Sequence, residues 1–140
     1  MKLNDQQKAL LQKFDVETPI AYAAGCADGS YDKHEFQPSK ALDDMPEALF
    51  QDALEELEFW YDKYSVRYQL PYGPSSYALK HDLTRILAHK PDTVWKGDTY
   101  LTNVQMKALM ILAGFRPNNR HRISPLYKIG KRGLREISSR

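Results

Sequence analysis

The sequence predicts a mainly α fold with a minor β component, an α+β domain built around a buried helix at 102–113. Three observations predict it. The stretch TNVQMKALMILAGF is apolar nearly all the way round at 100° per residue, and a helix of that kind is a buried one. Two amphipathic helical patterns precede it, at about 46–64 and 76–89. Glycine-centred turns separate short β-compatible runs near 93–101 and 126–137, enough for one or two small hairpins.

Taken in order, Asn4 is suited to cap a short helix over 5–14, with Ala9, Leu10, Leu11 and Phe14 as its apolar contacts. Thr18–Pro19 then reads as an N-cap followed by proline at the first helical position, opening a short Ala-rich helix that Asp28–Gly29 ends. Residues 29–40 read as a loop. The helix at 46–64 places Leu49, Phe50, Ala53, Leu54, Leu57, Trp60, Tyr61 and Tyr64 within an arc of about 140°. Its acids fill the other side, and Phe59 projects among them. Such a ring needs a cover, either the N-terminal segments or a partner.

Residues 65–72 form a connector. Ser75 caps the helix at 76–89, whose buried stripe is Leu79, Leu83, Ile86 and Leu87. His81, Arg85 and His89 line its other face. The runs 93–95 and 99–101 around Lys96–Gly97–Asp98 are the first candidate hairpin. Thr102 with Gln105 fits a capping box for the central helix, Gly114 suits its left-handed end, and Pro117 prevents resumption. Only Gln105 and Lys107 break its apolar circle. Residues 126–129 and 134–137 flank GKRG as a second hairpin with a basic tip; a terminal helix from Leu134 is the other reading.

The 140 residues, 42% of them hydrophobic, suit a single domain over 1–140. Residues 1–40 would pack on it and 116–140 form a basic C-terminal region. There is no apolar run of 18 residues and no signal-peptide pattern, so a cytoplasmic protein without a membrane partner is expected. The single cysteine, Cys26, fits a small buried thiol in a reducing compartment.

Net charge is only +2, but it is segregated. Residues 43–62 hold eight acids and no lysine or arginine. Residues 116–140 hold eight lysines and arginines against one acid, Glu136. Such asymmetry points to charged partners or to internal pairing of the two regions.

Sites for chemistry are weaker. His81 and His89 are eight residues apart, about 12 Å along a helix, too far to share an ion. His34 with Glu35 has no second ligand set, and there is no paired-cysteine motif. Serine nucleophile elbows and glycine-rich phosphate loops are absent. No enzyme activity, catalytic residue, metal or cofactor is expected. The basic region supplies the phosphate-binding candidates Arg116, Arg120, Arg122, Lys128, Lys131, Arg132 and Arg135. Arg85, His81 and Tyr77 on the 76–89 helix would extend them. Five tyrosines crowd 61–77, and Tyr68, Tyr72 and Tyr77 are the ones not already committed to a core face.

Helices at 46–64, 76–89 and 102–113 before a basic hairpin follow a winged-helix order. However, the connection from His89 to Thr102 is too long for a helix-turn-helix, and the third helix has almost no polar reading face.

The segments SSYALKH (75–81), YLTN (100–103) and AGF (113–115) resemble the SSYxLKH…YxxN…AGF pattern of short, largely uncharacterised accessory proteins of phages and mobile elements. The resemblance covers about 72–115. It implies a shared fold and a small modulator of host machinery, and brings no catalytic residue with it.

The function expected is non-enzymatic binding of DNA, RNA or a nucleoprotein complex through the basic surface. The alternative is an inhibitor or adaptor of a host protein, such as a defence nuclease, in the manner of an anti-CRISPR. It would act through Glu55, Glu56, Glu58, Phe59 and Asp62. A homodimer joining acidic and basic regions is the third class.

Overall fold

The computed structural model describes residues 3–16, 37–66 and 72–140. Within them the chain forms α1 (Asp5–Gln12), α2 (Pro38–Ala41), α3 (Glu47–Tyr64), α4 (Ser76–His89), α5 (Asn103–Ala113) and α6 (Lys131–Ser138). The helix expected after Thr18, Cys26, His34, Glu35 and Tyr68 lie outside the described residues.

Helix α5 is the organiser. It packs against α1, α2, α3 and α4. Met106, Ala108, Leu109, Met110 and Ile111 are buried in one core with Leu57, Trp60, Leu79 and Leu83. Its ends are written in the sequence. Thr102 accepts from the backbone N–H of Gln105, and the Gln105 side chain accepts from that of Thr102. Gly114 ends the helix at φ 119°, in the left-handed region, where a side chain would be strained. A Cβ there would also crowd the Tyr61 ring at 3.0 Å. Lys107, expected to break the apolar circle, is buried too, because its Nζ donates to the carbonyl of Arg122 at 2.9 Å.

Asn4 and Ser75 cap α1 and α4 as their positions suggest, each accepting from a backbone N–H three residues on. Helix α2 forms where a loop was expected. Pro38 stands at its first position, and Asp15 accepts from both the N–H and the hydroxyl of Ser39.

The expected hairpins do not form. Residues 93–101 are irregular, because Asp52 on α3 takes the N–H groups of Val94 and Trp95 at 3.1 and 2.7 Å. Those donors are thereby withdrawn from any strand pairing. Residues 126–129 run extended and touch two segments through isolated antiparallel bridges, Ser65 to Ile129 and Ser75 to Leu126. The chain then enters α6, so GKRG starts a helix instead of a turn. Helix α6 packs on α3, and Gly133 makes the approach close: a Cβ there would stand 2.8 Å from Tyr64 Cβ.

Candidate nucleic-acid interface

The acidic side of α3 is not uniformly solvated. Asp52 is buried as the anchor of 94–95, and Glu56 is only 1% exposed. The Glu56 carboxylate accepts from Trp60 Nε1 at 2.7 Å and from both Nη atoms of Arg140, and Lys90 Nζ lies 3.6 Å away. This corrects the placement of Glu56 in an outward partner surface: a carboxylate is retained here because three donors replace its water. Glu55, Glu58 and Asp62 are exposed. Phe59 is 42% exposed, and its cover comes from charged neighbours. Arg140 and Lys63 approach its ring at 5.0 and 5.5 Å, and Tyr64 meets it edge-on.

The cations divide the same way. Arg85 donates to the carbonyls of Ile137 and Arg140 at 3.1 and 2.6 Å, and pairs with Asp82. It thus closes the last turn of α6, where the helix dipole favours a cation. Arg116 donates to the carbonyls of Ile111 and Phe115 at the end of α5 and lies over the Phe14 ring. Arg120 bonds the carbonyl of Lys13, and Lys128 lies over Tyr72. These four, expected to face phosphates, are engaged within the protein.

Lys131, Arg132 and Arg135 are exposed on one side of α6, opposite buried Gly133 and Ile137. The ion pair between Arg132 and Glu136 is loose, 3.8 Å on an exposed side chain. Arg122 is exposed as well.

A second group sits where α4 and α5 begin. Ser76 and Asn103, the first residues of these helices, are joined by a 2.8 Å hydrogen bond. Asn103 also donates to the carbonyl of Ile123 and to Ser124 Oγ. The junction holds Tyr77 and Tyr100 near Lys80, whose Nζ is 5.1 and 5.0 Å from the two ring centroids. Tyr77 also meets His81 edge-on at 4.6 Å. Sequence reasoning singled out Tyr77, Lys80 and His81 on the 76–89 helix, the last two as an extension of a phosphate patch at its start, but missed Tyr100. The signal was present in the two motifs, whose tyrosines follow or precede the joined Ser76 and Asn103 closely in the chain.

Among the described residues, two clefts flank the 65–66 segment. One, of about 310 Å³, lies between the end of α3 and the start of α6, against Tyr64, Gly130 and Glu136. The other, of about 250 Å³, lies against Tyr61, Tyr72 and Phe115. Burial, and then the charge of Glu136, raises the Tyr64 hydroxyl above its ordinary value. Burial alone raises Tyr127, whose hydroxyl has no hydrogen-bond partner among the described residues.

Among the described residues no three His, Cys, Asp or Glu side chains gather to hold a metal ion, and no helix is long and apolar enough to cross a membrane. No protein family, curated protein or solved structure matches this chain.

Proposed function

We propose that this chain binds nucleic acid, without catalysing a reaction on it, through the outer face of α6. One observation supports this most: α6 buries Gly133 and Ile137 against the domain and turns Lys131, Arg132 and Arg135 outward together. Cations that served only to pair with the acidic helix would be spent as Arg140 is on Glu56. Among the described residues these three are not. Arginine and lysine at this spacing suit successive phosphates, and each phosphate bound releases counterions. Arg122 adds to the positive field. An accessory role in a phage or mobile element is the context that the SSYxLKH…YxxN…AGF resemblance implies.

The test is anisotropy with labelled DNA and RNA at low salt. Changing Lys131, Arg132 and Arg135 to Glu lowers affinity by about tenfold or more, while circular dichroism stays that of the parent. Unaltered affinity in a folded variant overturns the reading.

A further inference from the structure

We infer that Tyr77, Lys80 and Tyr100 form a stacking site for single-stranded nucleic acid, with the tyrosine rings taking bases and Lys80 a phosphate. The inference rests on the nucleic-acid reading above and adds to it the strand type and a second binding region.

Lys80 is only 7% exposed, yet no carboxylate among the described residues comes within ion-pair distance of it. The nearby acids are otherwise engaged: Asp82 pairs with Arg85, and Asp98 accepts from the N–H of Tyr100 at 3.0 Å. The Lys80 stem is buried while its ammonium lies near the faces of Tyr77 and Tyr100, which attract a cation. An ammonium without a counter-charge beside two rings favours an anionic ligand.

The backbone adds to the same field. Ser76 and Asn103 are each the first residue of a helix, so their hydrogen bond brings two helix N-termini together. Both dipoles present their positive ends there.

The rings say what the anion is attached to. Tyr77 is 53% and Tyr100 61% exposed, a large apolar display for a small domain. A cationic ligand is disfavoured, because an ammonium already lies about 5 Å from both rings. A flat ring joined to a phosphate satisfies both features. In a duplex the base faces are covered by their neighbours, whereas a single strand offers them.

The experiment compares oligothymidylate with a DNA hairpin duplex, using the full chain. The double variant Tyr77→Ala, Tyr100→Ala lowers oligothymidylate affinity by about tenfold or more and leaves hairpin affinity within about twofold. The Phe variants at both positions retain single-strand binding, since the ring is kept. Lys80→Met lowers single-strand affinity and reduces the salt slope by about 0.7. Photocrosslinking of iodouracil-substituted strand to Tyr77 or Tyr100, located by mass spectrometry, reports the approach of a base directly. Equal single-strand affinity for parent and double Ala variant, with crosslinks confined to α6, overturns this inference and leaves the α6 reading standing. Loss of single-strand binding in the tyrosine variants, with the α6 reversal harmless, overturns the α6 reading alone.

Discussion

Arg140 grips Glu56 with both arms of its guanidinium: Nη1 bonds Oε2, and Nη2 bonds Oε1 at 3.1 Å. The pair joins residues 84 positions apart and ties the end of the chain that follows α6 to the middle of α3. Lys90 and Trp60 complete the shell around the carboxylate. Arg85 holds the same end from the other side through the last carbonyls of α6. Together they make α6 a fixed element, which is what a binding face on it requires.

Removing the two partners should have unequal effects. Glu56→Ala leaves Arg140 and Lys90 without their acceptor and opens a buried gap, so it should cost about 3 kcal/mol. Arg140 is partly exposed, and its loss leaves Glu56 with Lys90 and Trp60. Arg140→Ala should therefore cost about 1 kcal/mol. Urea unfolding measures both, and the reverse order would refute this view of the pair.

Gly133→Ala separates helix propensity from packing. Alanine favours a helix by about 1 kcal/mol over glycine. The added Cβ, however, meets Tyr64 Cβ at 2.8 Å, an atom fixed close to the α3 backbone. Overpacking should win, with a net loss of about 1–2 kcal/mol. A higher melting temperature for the variant would contradict the close packing of α6 on α3.

Tyr127 predicts an alkaline weakness. Its hydroxyl and that of Tyr64 hold their protons above the ordinary tyrosine value. The unfolded chain releases those protons at about pH 10. Stability is thus fully present below that pH and declines as pH rises above it, because the unfolded state then binds fewer protons than the native one. Tyr127→Phe deletes the unpartnered hydroxyl. It should leave stability at neutral pH equal or up to about 1 kcal/mol higher, and should lessen the alkaline decline. Chemical denaturation at neutral and alkaline pH checks both parts.

Met106→Asp tests the role of α5. Met106 is fully buried in the helix that touches α1 to α4. An aspartate there should cost more than about 3 kcal/mol and unfold the domain. A stable variant altered only in binding would place α5 at the interface instead of in the core.

Local signals were readable where they were complete within a few residues. The capping box of Thr102 and Gln105, the left-handed Gly114 and the Ser75 cap all stand where the sequence put them. What the sequence hid depends on partners far along the chain. Helical periodicity placed Asp52 and Glu56 on a wet face. Their burial follows from the N–H groups of 94–95 and from Arg140 and Lys90, which no window around α3 contains. Gly130 and Gly133 read locally as a turn. Tyr64, more than 60 positions earlier, makes Gly133 the residue that lets a helix lie close. The candidate site shows the same limit. Arg85, Arg116 and Arg120 looked available by charge alone, and each is bonded to distant or terminal carbonyls.

The most direct test of the α6 reading is a salt titration of nucleic-acid affinity for the parent and the Lys131→Glu, Arg132→Glu, Arg135→Glu variant. For duplex DNA, the logarithm of affinity should fall with the logarithm of salt concentration. The slope should be shallower in the variant by about 2.7, or about 0.9 for each phosphate no longer neutralised. Parallel lines of equal affinity would contradict it.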